Sequence, residues 1–271
     1  MILSFLHNFE PQSVFRLGLL TIHWYGLLMV LAGILGFLLV LKLAKKYEIK
    51  KEIIEDIIFY SVIFGLIGAR IYHIFCEPGY YFNNPSEMIK FWHGGLGIYG
   101  ALISSAIVLY IFAKKLKKGG ENLSFLNLAD LFAPALILGQ AIGRWGNWFN
   151  QELYGLPTNL PWGIPISLSN RAAGLELFQY FHPVFLYESV WDFLIFIVLI
   201  IIITRTTARK PGTIFAVYLI LYSIGRFFIE FLRVNPQPMF LDLRLAQIVA
   251  ILMFIIGWII FIRIRNLESR I

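Results

Sequence analysis

The chain has 271 residues, of which 59% are hydrophobic and 14% are charged, and its mean hydropathy is +0.74. An apolar excess of this size excludes an ordinary water-soluble domain. The net charge of +7 would suit a nucleic-acid-binding protein, but the basic residues are spread between apolar stretches. The single cysteine, Cys76, excludes an internal disulfide framework, and we interpret it as a small packing residue.

Seven apolar stretches are each long enough to cross a bilayer core, which takes about 20 helical residues. None alternates apolar and polar residues at period two, so we predict helices and not the strands of a membrane barrel. The predicted spans are Leu17–Leu41, Ile53–Ile74, Leu96–Ala113, Phe125–Ile142, Val184–Thr204, Thr213–Leu232 and Leu243–Ile262. The predicted fold is therefore an all-α integral membrane protein, with residues 1–271 forming a single polytopic domain.

The first residues of the chain do not read as a cleavable signal peptide. Residues 1–16 contain one basic residue and also His7 and Glu10, so a charged head and a cleavage site are missing. We expect the first apolar stretch to remain as a membrane anchor.

The basic residues are distributed unevenly over the connections between spans. Fifteen of the 23 lie in alternate connections and the C-terminal tail, namely Lys42, Lys45, Lys46, Lys50, Lys51, Lys114, Lys115, Lys117, Lys118, Arg205, Arg209, Lys210, Arg263, Arg265 and Arg270. The other side has Arg16, Lys90, Arg144, Arg171 and Arg233. The positive-inside rule then predicts an N-terminus outside and a C-terminus in the cytoplasm.

Polar side chains gather at the outer ends of the spans. They are His23, Trp24, Tyr25, Arg70, His73, Tyr99, Arg144, Asn147, His182, Glu188, Arg226 and Glu230. Anchoring at the membrane interface explains a single Trp, Tyr or Arg, but it does not require Asn147, Glu188 and Glu230 as well. We therefore predict a polar site in the outer leaflet. Asp130 and Asp192 lie deeper, and we interpret them as polar contacts between helices, outside the site.

Several glycines flank these polar residues. They are Gly94, Gly95, Gly97, Gly100, Gly139, Gly143 and Gly146. They serve either close helix packing or the approach of backbone N–H groups to a phosphate, and their spacing does not decide between the two.

The longest outer connection runs from residue 144 to residue 181. It contains Pro157, Pro161 and Pro165, and connections of this length in compact proteins are usually functional. We predict a small ordered extracytoplasmic cap over residues 144–181.

The run from Gly143 to Gly155, GRWGNWFNQELYG, resembles the signature of the prolipoprotein diacylglyceryl transferase family. In that family the pattern reads Gly-Arg-x-Gly-Asn-Phe-x-Asn-x-Glu-x-x-Gly, and Trp148 replaces its Phe. Four further segments are similar to the family and cover nearly the whole chain in order. They are His23–Gly26, Gly68–Arg70, His182–Glu188 and Arg226–Arg233.

One position departs from the family pattern. Many members carry Gly-Gly-x-x-x-His-Gly, in which the His has been regarded as catalytic, whereas this chain has Tyr99 at that place. Either a histidine is not an absolute requirement there, or this protein has lost activity. The intact remaining motifs favour the first interpretation.

The resemblance implies a bacterial inner-membrane enzyme with its active site towards the extracytoplasmic leaflet. Its donor would be phosphatidylglycerol, and its acceptor would be the lipobox cysteine of a prolipoprotein that still carries its signal peptide. The products would be a thioether and glycerol-1-phosphate. Membrane lipids are the other expected partners, and we expect no nucleic acid, cofactor or metal.

The resemblance also implies roles for individual residues. A leaving phosphate needs cationic stabilisation, which a planar guanidinium supplies through paired hydrogen bonds. The implied catalytic residues are Arg144, Arg226, Glu152, Tyr99 and Asn147. The implied substrate-binding residues are Arg144, Arg226, Tyr25, Arg70, His23, Gly155, Glu188 and Glu230.

The acceptor thiol, with a free pKa of about 8.5, needs a base or a positive field to become a thiolate. The candidates for the base are Tyr99, Glu152, His23 and His182, which the sequence does not rank. A neutral tyrosine is a poor base unless neighbouring arginines lower its pKa. We expect Glu188 and Glu230 to orient the arginines, and Glu152 is near enough in sequence to hold Arg144.

Two rival functions remain to be compared. A transporter should have polar groups through both leaflets and often internal repeats, whereas here the polar groups thin out below the outer half and no repeat is evident. A membrane scaffold would not need buried Arg–Glu pairs. The transferase interpretation is therefore favoured over both.

Overall fold

The computed structural model describes residues 6–18, 20–121, 123–205, 210–235 and 237–268. Its helices are α1 Trp24–Lys46, α2 Lys51–Cys76, α3 Pro78–Asn83, α4 Ile98–Lys118, α5 Phe125–Phe149, α6 Val184–Arg205, α7 Thr213–Ile229 and α8 Leu245–Glu268. Short 3-10 helices span Pro85–Ile89, Phe91–His93, Leu168–Asn170 and Glu230–Leu232. The strands are β1 Val14–Leu17, β2 Leu20–His23, β3 Ile164–Pro165, β4 Tyr180–Phe181, β5 Met239–Phe240 and β6 Leu243–Arg244. Arg209 and Arg270, which entered the charge comparison, lie outside the described residues.

Within these ranges, seven helices are long and apolar enough to cross a membrane: α1, α2, α4, α5, α6, α7 with its 3-10 extension, and α8. This confirms the predicted all-α fold with seven spans. In each of these helices, at most 44% of an 18-residue apolar stretch is buried. Such exposure of apolar side chains is expected where lipid replaces water around a helix.

Two predicted boundaries differ most from the structure. The first helix begins at Trp24, because Val14–Leu17 and Leu20–His23 pair as an antiparallel hairpin, β1–β2, and Gly18 after β1 has φ +61°. Helix α5 continues through Pro134 to Phe149. Residues 144–149 are therefore the last turns of a helix, and the connection to α6 begins at residue 150.

The chain divides into two compact units, one comprising Val40–Leu131 and the other comprising Met1–Leu39 and Phe132–Ile271. In the first unit, α2 and α4 touch through glycines. A Cβ added to Gly100 would lie 2.1 Å from the carbonyl oxygen of Gly68. The N–H groups of Gly94 and Gly97 donate to protein carbonyls. These contacts favour packing as the role of this glycine group.

In the second unit, polar and small side chains tie α5, α6 and α7 together. Ser189 accepts a hydrogen bond from Trp145 Nε1 at 3.0 Å and donates to the carbonyl of Ala141 at 2.9 Å. The Trp191 indole lies against Gly225, where a Cβ would come within 2.1 Å of its Nε1. These contacts set the facing sides of the three helices that carry the polar site.

The connection from residue 150 to residue 183, here called the cap segment, has a small core with the adjoining residues. Strand β3 pairs with β4, with Ile164 opposite Phe181. The buried core residues are Leu6, Trp148, Tyr154, Ile164, Ile166, Phe181 and Phe185. Because Trp148 and Phe185 belong to α5 and α6, this core joins the cap segment to the ends of both helices.

Candidate functional site

A buried carboxylate, Glu188 on α6, binds three arginines from different elements. Its Oε2 lies 2.8 Å from Arg144 Nε, and its Oε1 lies 2.8 Å from Arg226 Nη1. Arg233 Nη2 donates to both carboxylate oxygens at 2.8 Å. Glu188 therefore joins the end of α5 to α6 and to the end of α7.

A second carboxylate, Glu230, lies beside the first and is fully buried. Its side chain lies 2.8 Å from Arg226 Nη2 and 3.4 Å from Arg244 Nη1. Gln237 donates a further hydrogen bond to it at 2.9 Å. We call Arg144, Arg226, Arg233, Arg244, Glu188 and Glu230 the arginine–glutamate cluster.

The cluster has four guanidinium groups but only two carboxylates, so it carries an excess of positive charge. Buried charges need close partners, because removal from water is costly. An additional anion is therefore the partner that the cluster favours. Arg144, Arg226 and Arg244 are 19%, 15% and 25% exposed, whereas Arg233 is 3% exposed. The two arginines predicted from the sequence to meet a phosphate are thus among the three more accessible guanidiniums.

Helical spacing and a close backbone contact place Arg233 in the cluster. Arg226, Glu230 and Arg233 follow one another at intervals of four and three residues, which puts them on one side of the chain where α7 continues into its 3-10 extension. The backbone of Arg233 pairs with that of Gly155 in an isolated antiparallel β-bridge. A Cβ on Gly155 would lie 2.7 Å from His182 Cβ and 3.0 Å from a backbone oxygen. Glycine at this position lets the cap segment lie against the chain that carries Arg233.

Asn147 and Glu152 extend the cluster towards the cap segment. Arg144 Nη1 lies 3.5 Å from Asn147 Oδ1, and Asn147 Nδ2 donates to Glu152 Oε1 at 2.8 Å. Glu152 is therefore linked to Arg144 through Asn147, whereas the carboxylate that pairs with Arg144 is Glu188. Sequence distance favoured the nearer glutamate, whereas packing of α5 on α6 brings the distant one closer.

The turn that carries Glu152 has an uncommon backbone. Gln151 and Leu153 take positive φ values of 52° and 55°, a conformation that costs about 1–2 kcal/mol for a non-glycine residue. The Gln151 side chain is held by the carbonyl of Pro11 at 2.8 Å and by the N–H of Ser167 at 2.6 Å. These contacts fix the turn and hence the direction of Glu152.

Tyr25 and His23 occupy different environments in the same unit. The Tyr25 ring packs on Gly146 of α5, where a Cβ would lie 2.3 Å from the ring. This contact brings Tyr25 to the helix that carries Arg144. His23 ends strand β2 opposite Val14 and is exposed.

Arg70 belongs to the other unit, where it is buried and serves the loop before α4. It donates to the carbonyls of five loop residues, namely Glu87, Met88, Lys90, Gly94 and Gly95. Gly95 has no room for a Cβ, which would lie 2.8 Å from Arg70 Nη1. Arg70 thus holds the loop that leads to Tyr99. The Tyr99 ring packs near that of Tyr72, with 5.9 Å between the ring centroids.

His182 lies at the junction of the cap segment and α6. Its Nδ1 is 3.2 Å from the Tyr187 hydroxyl, and burial lowers the pKa of the imidazole. A lowered pKa keeps the ring uncharged near neutral pH, which is the form that can accept a proton.

A small cavity, with room for a group about the size of a water molecule, opens beside the cluster in the same unit. It is lined by Arg144, Glu188, Trp191, Asp192, Tyr222, Gly225, Arg226 and Ile229. Sequence reasoning assigned no site role to Arg233, Arg244, Asp192 or Tyr222. Asp192 lies four residues after Glu188, and Tyr222 lies four residues before Arg226, so each pair shares a helix face. These spacings would have indicated Asp192 and Tyr222 from the sequence.

Metal ligands are not grouped in the described part of the chain. No three His, Cys, Asp or Glu side chains there come together as a metal site requires.

The chain is similar to a family of known proteins over most of its length. Residues 12–263 match the family described as prolipoprotein diacylglyceryl transferase. A phosphatidylglycerol–prolipoprotein diacylglyceryl transferase from Trichormus variabilis is 43% identical over 253 residues, which cover 92% of this chain and 88% of the relative. The enzyme of the same name from Thermosynechococcus vestitus is 39% identical, over 93% and 92% of the two chains. That from Fervidobacterium nodosum is also 39% identical, over 90% and 82%.

Proposed function

The chain belongs to the prolipoprotein diacylglyceryl transferase family, and we propose that its arginine–glutamate cluster binds the phosphate of the lipid donor. The protein is a transferase that moves a diacylglyceryl group from phosphatidylglycerol to a prolipoprotein, the first step of lipoprotein maturation. The excess of arginine over glutamate in the cluster is the observation that supports this binding site.

The donor phosphate meets Arg144 and Arg226. Each guanidinium has five N–H donors in a planar fork, and the ion pairs with the glutamates use only some of them. As the bond between the glyceryl carbon and the phosphate oxygen breaks, negative charge grows on that oxygen. Hydrogen bonds from the guanidiniums then become stronger, which lowers the barrier to transfer.

The acceptor is the lipobox cysteine of a prolipoprotein that retains its signal peptide. Its sulfur attacks the glyceryl carbon, a thioether forms, and glycerol-1-phosphate leaves with the electron pair of the broken C–O bond. Asn147 and Glu152 would position substrate beside Arg144, where Tyr25 packs on the same end of α5. Gly155 lets the cap segment lie against the chain that carries Arg233. Tyr99, Glu152, His23 and His182 stay open as candidates for activating the thiol.

Purified protein should transfer label from phosphatidylglycerol carrying labelled acyl chains to a synthetic lipobox peptide. A peptide with serine in place of the cysteine is the matched control, because its hydroxyl is a much weaker nucleophile. Label on the cysteine peptide alone is the expected result. Equal labelling of both peptides, or of neither, would contradict the proposed reaction.

We propose that the protein lies in the bacterial inner membrane with the cap segment outside and the C-terminus in the cytoplasm. The alternation of basic connections supports this orientation. In this orientation the arginine–glutamate cluster would lie at the outer leaflet, at the depth of phospholipid headgroups.

Labelling of single cysteines in intact cells tests the orientation. In a Cys76→Ser background, Leu177→Cys, at a 97% exposed position of the cap segment, should react with a membrane-impermeant maleimide. Lys117→Cys, at the basic end of α4, should react only after the cells are permeabilised. The reverse pattern would place the cap segment in the cytoplasm and overturn the proposal.

A further inference from the structure

Asp192 is a buried carboxyl group that the proposed phosphate site does not use. It lies on α6, four residues after Glu188 and on the same helix face. It is 3% exposed, and its Oδ2 accepts no hydrogen bond from any described residue. A buried carboxyl oxygen without a partner is costly, so its presence in an apolar span indicates a role other than packing.

Asp192 lies beside the arginines of the proposed phosphate site. It lines the same small cavity as Arg144 and Arg226, together with Tyr222. Other charged groups that line this cavity are the two arginines and Glu188. The cavity has room for a group about the size of a water molecule, which is also about the size of a thiol.

The depth of Asp192 in the span matches the reacting carbon. Four helical residues correspond to a rise of about 6 Å, so Asp192 lies farther from the start of α6 than Glu188 does. A lipid whose phosphate meets the arginines has its glyceryl carbon on the side of the acyl chains, towards the membrane interior. The sulfur must approach that carbon, which brings its proton to the level of Asp192.

We propose that Asp192 is the base that accepts the proton of the acceptor thiol, an assignment that rests on the proposed phosphate site. The S–H proton passes to the carboxylate as the sulfur–carbon bond forms. The C–O bond breaks, and its electron pair stays on the phosphate. The carboxyl group then returns its proton to the released phosphate ester or to water.

A pair of acceptor peptides separates this role from a structural one. The peptides have the same lipobox sequence but carry either cysteine or selenocysteine. A selenol is ionised at neutral pH without help, so its transfer does not need a base. For Asp192→Asn we expect single-turnover transfer to the thiol peptide to fall by about 100-fold or more, while transfer to the selenol peptide falls only a few-fold. Asp192→Glu, which keeps a carboxylate, should recover part of the thiol rate.

The ratio of the two rates is measured on one preparation, so partial loss of folded protein cancels. Asp130→Asn is the matched control, because Asp130 is also buried in a span but belongs to the other unit; both acceptors should respond to it equally. If Asp192→Asn lowers both rates equally, or neither, Asp192 is not the base. Asp192→Ser gives the same comparison if the asparagine variant does not fold. Arginine variants should slow both acceptors alike, so failure of the phosphate site and failure of the base give different results.

Discussion

Replacement of Arg144 or Arg226 by lysine is expected to slow single-turnover transfer from phosphatidylglycerol by roughly two orders of magnitude. An ammonium group keeps the charge, but it cannot offer the planar pair of N–H donors that a guanidinium presents to a phosphate. Loss of a charge-assisted hydrogen bond of about 3 kcal/mol in the transition state corresponds to a rate decrease of about this size. The measurement is the rate of peptide labelling by folded variant protein in excess over the acceptor.

If these arginines only anchored the helices at the membrane interface, the lysine variants should transfer at a near-normal rate. A lysine that extends its ammonium group to the membrane surface anchors a helix as well as an arginine does. Arg16→Lys, at an exposed position of β1, is the matched control and should transfer at the normal rate. If both cluster variants were also near normal, Arg144 and Arg226 would be anchors and the phosphate would lack its proposed partners.

The substitution Glu188→Gln is expected to lower the free energy of unfolding by about 3–5 kcal/mol, the cost of removing one partner from a buried ion pair. Glu188 is in contact with three guanidiniums at 2.8 Å. A neutral amide cannot balance their charges. The guanidiniums of Arg144 and Arg226 should also lose their fixed direction, so transfer should fall even at temperatures where the variant stays folded.

Denaturant or thermal unfolding in detergent measures the first effect, and single-turnover transfer at low temperature measures the second. Glu55→Gln is the matched control, because Glu55 pairs with Lys51 at 3.0 Å on an exposed helix face, with its side chain 44% exposed. Exposed pairs of this kind contribute about 0.2–1 kcal/mol. A stability loss for Glu188→Gln as small as that of Glu55→Gln would show that the buried carboxylate is not the centre of the cluster.

Much of the fold is readable from local patterns. A bilayer requires long apolar helices that satisfy their own backbone hydrogen bonds, and seven such stretches are visible in the amino-acid sequence alone. Their ends are harder to predict. Residues 14–23 are apolar enough to continue a helix, yet Gly18 reverses the chain and a hairpin forms. The α5 helix passes Gly143 and Gly146, which a local rule takes as its end, because tertiary contacts outweigh the low helix propensity of glycine.

The candidate site also has a part that local patterns predict and a part that tertiary contacts decide. Arg226, Glu230 and Arg233 share a face through their spacing in the chain, and the family signature contains Arg144, Asn147 and Glu152. This part of the site can be predicted from the sequence, because it depends on separations of only a few residues.

Packing between distant segments decides the rest. Glu188 pairs with Arg144, which is 44 residues earlier in the chain, because the hydrogen bonds of Ser189 hold α6 against α5. Arg244 reaches Glu230 because the β5–β6 hairpin turns the chain back. Which glutamate balances which arginine, and which carboxylate stays unpaired beside the cavity, depends on distances between helices. Those distances are set by the sum of many side-chain contacts along each interface, to which no short motif corresponds.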